Sequence, residues 1–164
     1  TLGKRQAELL TRNAQSQSEC EFTISRCFAT VGPMLPLDGR FAIGNFIRDI
    51  LVGRNIQLAS DGTSVRSYLY AADLAGWLWA IILRGRTGAI YNVGSPHAIS
   101  IYDLAVRVAA TLDSTAQVHL GSKMEPSLRY VPDISLVSQE LGLLQTVDLN
   151  RAIQRTASHY DWKR

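Results

Sequence analysis

Three residues of this chain, Lys4, Arg66 and Asn92, have side chains that suit the binding of a charged ligand. Lys4 lies near the start of a predicted amphipathic helix, where an ammonium group favours the ionised form of an acid beside it. Arg66 follows an Asp-Gly turn, and its planar guanidinium can bind two oxygens of a phosphate or carboxylate at once. Asn92 lies near the end of a predicted strand, and its amide can both donate and accept hydrogen bonds.

Each of these residues also has an ordinary structural interpretation. Most lysines are solvated surface residues, and an Arg after a turn is often one too. Asn is favoured where a strand ends in a turn. The three histidines show no spacing for a metal site or a catalytic triad, and we interpret them as surface or loop residues; they are His97, His119 and His159. Side-chain chemistry alone therefore leaves the function open.

The composition is that of one ordinary globular domain. The chain has 164 residues, of which 46% are hydrophobic, and a net charge of +3 with no block of basic residues. We therefore expect no nucleic-acid partner. The most apolar stretch, residues 74–83, is about half the ~20 residues that a membrane-spanning helix needs, and no targeting segment is visible. Cys20 and Cys27 lack metal-site spacing, so we expect reduced, buried thiols in a cytoplasmic protein without membrane association.

Helical and extended patterns alternate along the chain. Apolar spacing predicts helices over residues 1–16, 41–52, 72–83, 101–112, 134–141 and 149–160, and strands or extended pieces over residues 22–28, 56–59, 66–70, 89–93 and 117–120. The strand over 22–28 is short and rich in β-branched and aromatic residues, which predicts burial on both faces. Ser100 and Asp103 form an approximate capping box at the start of a helix. This alternation indicates an α/β fold.

Four motifs occur in order along these elements. They are Gly3-Lys4-Arg5-Gln6-Ala7-Glu8, Arg26-Cys27-Phe28-Ala29-Thr30-Val31-Gly32-Pro33, Asp61-Gly62-Thr63-Ser64-Val65-Arg66-Ser67-Tyr68-Leu69-Tyr70-Ala71-Ala72-Asp73, and Tyr91-Asn92-Val93-Gly94. Together they resemble the extended short-chain dehydrogenase/reductase family, and within it the NAD-dependent sugar-nucleotide epimerases, dehydratases and decarboxylases. The resemblance extends from Lys4 to about Tyr160.

The resemblance implies the C-terminal part of a doubly wound Rossmann-type sheet together with a smaller mixed α/β substrate-binding lobe. Residues 1–31 would supply the last helix and strand of a Rossmann-type domain whose remainder is missing. Residues 32–164 would form the substrate-binding lobe with interleaved Rossmann elements. The tyrosine of the family's Tyr-x-x-x-Lys pair would fall one residue before Thr1, so we expect a C-terminal fragment that is inactive by itself. The alternative is a stand-alone sugar-nucleotide-binding or interaction module without catalysis.

The resemblance also assigns roles to individual residues. Lys4 matches the lysine that binds the nicotinamide ribose of NAD and lowers the pKa of the catalytic tyrosine. Arg66 matches the arginine that binds the diphosphate of the nucleoside-diphosphate sugar, and Asn92 matches an asparagine that contacts the same nucleotide. Asn45 and Phe46 lie at the start of a helix that covers the nucleotide in the family, although Phe46 also has the spacing of a core residue. NAD should bind poorly here, because the Gly-rich pyrophosphate-binding turn has no counterpart.

Two positions depart from the family pattern, and several properties stay open. Ala29 stands where many members have an asparagine that contacts the diphosphate, and Val31 stands where an aromatic residue is common. The resemblance implies a structural role for Asp73 at a helix N-terminus and a homodimer built with the first helix. The sequence does not decide the sugar, the choice between NAD and NADP, or the choice among epimerisation, dehydration and decarboxylation.

Overall fold

Six helices and eight short strands make up the described chain. The computed structural model describes residues 2–16, 19, 21–39, 41–112, 114–123 and 126–161. The helices are α1 (Leu2–Ser16), α2 (Ala42–Leu51), α3 (Ala71–Arg84), α4 (Ile101–Thr111), α5 (Ser135–Leu141) and α6 (Leu149–Asp161). The strands are β1 (Ile24–Cys27), β2 (Thr30–Val31), β3 (Ile56–Gln57), β4 (Val65–Arg66), β5 (Leu69–Tyr70), β6 (Ile90–Val93), β7 (Ile99–Ser100) and β8 (Val118–His119).

The strands form four two-stranded pairs. Three pairs are parallel, β1 with β6, β2 with β5 and β3 with β8, and β4 pairs with β7 in the antiparallel sense. Parallel neighbours need a crossover connection, and the chain from β2 to its partner β5 includes α2, whereas the chain from β1 to its partner β6 includes α2 and α3. The α/β class is confirmed, with short parallel strands of the Rossmann type and six helices in the described chain. The division at residue 31 stays a prediction.

The predicted helices agree with the structure to within about two residues at each end, whereas some strands differ. The predicted extended piece over 66–70 divides into β4 and β5, and the two-residue strands β2 and β7 were not predicted. Two residues are too few to show the alternation on which a strand prediction depends. The predicted N-cap is confirmed, because the Ser100 hydroxyl oxygen accepts a hydrogen bond from the Asp103 backbone N–H at 2.9 Å, and the Asp103 carboxylate accepts one from the Ser100 hydroxyl at 2.7 Å.

The prediction that the strand over 22–28 is buried on both faces was wrong. Arg26 and Cys27 at the end of β1 are exposed, because β1 pairs only with β6 in the described chain. Cys27 is a free thiol, as expected, but it is exposed and not buried. Cys20 lies outside the described residues.

The apolar side chains form two cores. Core 1 lies among α2, α4 and α6 and is built around Ile43, Ile47, Leu104, Val108 and Ile153. Core 2 lies between β6, α3 and α5 and is built around Trp77, Ile81, Tyr91, Val93 and Val137. Burying one such side chain contributes about 1.5–3 kcal/mol, so each core can hold its helices in place. No helix in the described ranges is long and apolar enough to cross a bilayer.

Asp73 in the first turn of α3 joins the two cores. Its carboxylate is 8% exposed and accepts hydrogen bonds from the backbone N–H groups of Thr146 and Val147, each at 3.1 Å, and from the Thr146 hydroxyl. The structural role that the sequence predicted for Asp73 therefore involves the amides of the loop before α6, and these bonds attach that loop to α3.

A second polar network attaches α5 to β6. The Tyr91 hydroxyl donates to Glu140 at 2.6 Å and accepts from the Arg86 backbone N–H at 3.0 Å, and the Arg86 guanidinium forms an ion pair with Glu140 at 2.9 Å. The hydrogen bonds from Tyr91 and Arg86 lower the pKa of Glu140 below its ordinary value of 4.5.

Replacing Asp73 with Ala should lower the free energy of unfolding by about 1.5–3 kcal/mol, because hydrogen bonds to a charged acceptor are lost and two backbone amides lose their partner. Urea denaturation followed by circular dichroism measures this change. Asp73→Asn keeps one acceptor oxygen at the same place and should lose less. Equal losses for the two variants would contradict the hydrogen-bond explanation.

Replacing Glu140 with Gln should make stability less dependent on pH in the acid range. A carboxylate with a lowered folded-state pKa stabilises the fold fully above its ordinary value of 4.5, and this contribution disappears as pH falls through the lowered value. Urea midpoints of both chains at neutral pH and at a series of pH values below 4.5 test this. An identical loss of stability on acidification in both chains would exclude Glu140 from this role.

Candidate functional site

The candidate site lies at the carboxyl ends of β1 and β6. These parallel strands are in register from Ile24↔Ile90 to Cys27↔Val93, so both end at the same edge. The Phe28 backbone N–H continues the pairing by donating to the Val93 carbonyl at 2.9 Å. In open α/β sheets, ligands bind in the crevice outside the carboxyl ends of the strands.

A segment of residues 126–133, which we call the crossing segment, passes over these strand ends. It is attached to β4, because the Val65 N–H donates to the Leu128 carbonyl at 2.8 Å and the Tyr130 N–H donates to the Val65 carbonyl at 2.9 Å. The Tyr130 ring also stacks on Phe28 with ring centroids 4.5 Å apart. The crossing segment therefore joins β4 to the end of β1.

Gly94 allows this close approach. A Cβ atom at position 94 would lie 2.8 Å from Phe28 Cβ and 2.8 Å from Pro132 Cγ, which is closer than real Cβ atoms come to such neighbours. The glycine that follows β6 is therefore required where the crossing segment packs against Phe28. The Tyr-Asn-Val-Gly motif thus supplies a packing position as well as a polar side chain.

The structure brings Arg66 and Asn92 to the same segment. Arg66 donates through Nη1 to the Val65 and Leu128 carbonyl oxygens, each at 2.8 Å, and Asn92 donates through Nδ2 to the Asp133 carbonyl oxygen at 2.8 Å. Both side chains are half-buried, and none of the ion pairs among the described residues involves Arg66. The two predicted ligand residues thus lie at either end of the crossing segment.

Lys4 lies on α1 near the carboxyl end of β1. Although Cys27 is exposed as a residue, partial desolvation of its sulfur raises the pKa of the thiol, and the positive charge of Lys4 acts on that pKa in the opposite direction. The helix is tied to the same strand by a bidentate ion pair between Arg26 and Glu8, with N–O distances of 2.8 and 2.6 Å. The hydrogen bond from Arg26 lowers the pKa of Glu8. The side chain of Lys4 is exposed.

Asn45, Phe46 and Ala29 lie on the side of core 1. Asn45 is half-buried in α2, and its side-chain oxygen is enclosed without a hydrogen-bond donor in the described chain. Phe46 is 5% exposed and belongs to core 1, in agreement with its core-like helical spacing in the sequence. Ala29 packs against core 1, and its carbonyl accepts a hydrogen bond from the Leu69 N–H at 3.1 Å. The ligand contacts assigned to these three residues stay predictions.

A large open groove of about 1080 Å³ lies beside β4 and contains further charged residues. Its lining includes Val65, His97, Arg107 and Arg129 but none of the predicted site residues. Successive side chains of a strand point to opposite faces, which separates Val65 in the groove from Arg66 outside it. We place the candidate site at the strand ends and not in the groove, because two of the predicted ligand residues, Arg66 and Asn92, donate to carbonyl oxygens of the crossing segment.

Sequence reasoning did not single out Arg129 or the crossing segment. The backbone of Arg129 forms an isolated parallel β-bridge with Val65, next to Arg66. The sequence signal was a basic residue three positions before Pro132-Asp133, but nothing local indicated that this stretch would cross the strands. No group of three or more potential metal ligands occurs among the described residues.

Comparison with known proteins relates this chain to one family of enzymes. The NAD dependent epimerase/dehydratase family matches residues 1–94, which is more than half of the chain. UDP-glucuronic acid decarboxylase 3 of Arabidopsis thaliana is 30% identical over 153 residues, which cover 92% of this chain and 44% of the relative. The dTDP-glucose 4,6-dehydratase of Streptomyces griseus is 27% identical over 160 residues, covering 96% of this chain and 48% of that protein. The chain thus spans about half the length of the curated relatives it matches.

Solved structures share the fold. UDP-glucose 4-epimerase of Thermotoga maritima, determined with UDP-glucose, superposes with a TM-score of 0.89 at 16% identity, covering 99% of this chain and 53% of that one. DesIV of Streptomyces venezuelae, a dTDP-glucose 4,6-dehydratase with NAD and TYD bound, gives a TM-score of 0.81 at 23% identity, covering 96% of this chain and 49% of that one. The family match, the relatives and the shared fold lead to one conclusion: the chain belongs to the NAD-dependent epimerase/dehydratase family.

Proposed function

We propose that this chain is the substrate-binding, C-terminal part of an NAD-dependent sugar-nucleotide epimerase or dehydratase. Its ligand is the nucleoside-diphosphate part of a nucleoside-diphosphate sugar, bound at the carboxyl ends of β1 and β6. The observation that carries this proposal is the convergence of Arg66 and Asn92 on the crossing segment. The relatives and neighbours named above, several of which carry UDP- or dTDP-sugars in their names, support it.

Arg66 is the residue that we assign to the diphosphate. Its described hydrogen bonds use Nη1 alone, which fixes the guanidinium plane and leaves Nε and Nη2 as donors for two phosphate oxygens. The half-buried position strengthens such a contact, because the charges interact through a medium of lower dielectric than water. Fixing the plane in advance also lowers the entropy lost when the anion binds.

Asn92 and Asn45 are assigned to the remainder of the nucleotide. Asn92 is held through Nδ2, so its carbonyl oxygen is the atom that we assign to a ligand donor. The side-chain oxygen of Asn45 is a buried acceptor without a donor in the described residues, and a buried acceptor is costly when unpaired. A hydroxyl or N–H of the nucleoside would satisfy it. Phe46 would contribute by holding α2 in place.

Ala29 provides no side-chain hydrogen-bond donor to this site near the end of β1. A methyl group cannot donate to phosphate, so the contact that an asparagine would make must come from Arg66 or from backbone N–H groups. Val31 is fully buried and likewise offers no polar group. We therefore propose that the diphosphate depends more on Arg66 here than in family members that have the asparagine.

Catalysis in the proposed parent enzyme requires groups beyond this chain. NAD, when bound, accepts hydride from the sugar in this family. Lys4 is the residue here that matches a contact to NAD, and the sequence has no Gly-x-Gly-x-x-Gly turn for the pyrophosphate. The residues present therefore do not make an NAD pocket, and we propose that the isolated chain neither binds NAD well nor turns over substrate.

A homodimer through α1 is part of the proposal. Leu2, Leu9 and Leu10 on this helix are 61–70% exposed, and exposed apolar side chains on one helix favour association.

The competing function is a sugar-nucleotide-binding module without catalysis. Both proposed functions require Arg66 to bind the diphosphate, and an NAD-dependent turnover assay on any longer form of the protein would distinguish the enzyme from the binding module.

Replacing Arg66 with Ala should weaken UDP or dTDP binding by about 1.5–3 kcal/mol, because a charge-assisted contact in a half-buried site is lost. Isothermal titration of each nucleotide into wild type and variant measures this. Arg107→Ala is the matched control, because Arg107 lines the large groove and not the strand-end site. The assignment fails if Arg66→Ala binds as well as wild type, or if Arg107→Ala loses the affinity instead.

A further inference from the structure

The outer face of α3 is apolar along its whole length. Its large side chains are exposed: Trp79 by 65%, Ile82 by 70% and Leu83 by 75%. Ala72, Ala75 and Gly76 lie on the same face and are exposed too. Their positions follow the i, i+3, i+4, i+7 spacing of one helix face, opposite the face that buries Trp77 and Ile81 in core 2.

This face carries no charge. The charged residues of α3 are Asp73, which is buried against the loop before α6, and Arg84 at the last position, whose guanidinium donates to the Leu141 carbonyl. Leucine and isoleucine side chains surrounding an exposed tryptophan are unusual on the surface of a monomer, where large contiguous apolar patches mark interaction sites.

Small and large residues are separated along the helix. The small ones occupy its first half, at positions 72, 75 and 76, and the large ones its second half, at positions 79, 82 and 83. A Cβ atom added to Gly76 would meet no heavy atom within 4 Å, so the space in front of this residue is open. The face therefore offers a recess at one end and a projection at the other.

We propose that this face binds the same face of a second copy of the chain in an antiparallel, two-fold arrangement. A two-fold axis near positions 77 and 78 would place Trp79 of each copy against Gly76 of the other. It would also place Ile82 and Leu83 of each copy against Ala75 and Ala72 of the other. Every large side chain would then meet a small one, which is the alternation that close helix packing requires.

The area available supports a dimer of modest affinity. Trp79, Ile82 and Leu83 together expose on the order of 400 Å² per copy, given that an aromatic side chain alone can bury about 150–250 Å². Two copies with their small residues and rim would bury about 1,000 Å², the lower limit for a specific interface. The association should therefore be reversible and depend on concentration. Self-complementarity is what favours a second copy over an unrelated partner, because an isologous contact must match itself.

This interface differs from the proposed dimer through α1 and does not rest on the proposed function. Its test therefore starts from a chain whose α1 contact is removed by Leu9→Glu and Leu10→Glu. Sedimentation equilibrium of this chain, over a wide range of protein concentrations, should show a monomer–dimer equilibrium. A chain that stays monomeric throughout would overturn the proposal.

Gly76→Leu in this background is the sharper variant. Leucine is a better helix former than glycine and has open space in the monomer, so the fold should be at least as stable while the recess for Trp79 is filled. We expect the dissociation constant to rise at least tenfold, with thermal unfolding of the monomer unchanged or shifted upward. Trp79→Gln should weaken the dimer by a similar factor.

Leu144→Gln is the control, because Leu144 is 61% exposed but lies outside α3. It should leave the dissociation constant unchanged. The proposal is overturned if Gly76→Leu and Trp79→Gln leave the dissociation constant unchanged, or if Leu144→Gln raises it as much as they do.

Discussion

The attachment of the crossing segment to β4 is the interaction on which the candidate site depends. Two backbone hydrogen bonds at Val65 hold residues 128 and 130, and the stack of Tyr130 on Phe28 holds the same segment over the end of β1. Arg66 and Asn92 then take their positions by donating to carbonyl oxygens of that segment. Without the crossing segment, the two polar side chains would belong to separate strand pairs with nothing to relate them.

The two cores supply the rigidity behind this arrangement. Core 1 fixes α2, which carries Asn45, and core 2 fixes β6, which carries Asn92. Asp73 connects them, since it lies in the first turn of α3 in core 2 and accepts hydrogen bonds from the loop that leads into α6 of core 1. The candidate site residues thus lie on or beside regular elements, which is the placement that best preserves geometry for the anionic ligand that we propose.

Much of this arrangement could be predicted from the sequence, and the parts that could not share a physical cause. Periodicity found the six helices of the described chain, because each has apolar residues at helical spacing, and the Ser100 cap followed from local chemistry. The motifs indicated Arg66 and Asn92 as site residues. The crossing segment was not predicted, because its fixed position comes from contacts with residues more than 60 positions away, such as Ser127 with Thr63. The exposure of β1 was missed for the same reason, since burial depends on which elements lie beside a strand and not on its own sequence.

The central claim is that a nucleoside diphosphate binds at the carboxyl ends of β1 and β6. A crystal structure of the chain with bound UDP or dTDP tests it most directly. The account predicts diphosphate density within hydrogen-bonding distance of the Arg66 guanidinium, with the crossing segment in place over Phe28. Density in the large groove beside Arg107 and Arg129, with Arg66 still bonded only to the Leu128 and Val65 carbonyl groups, would contradict it.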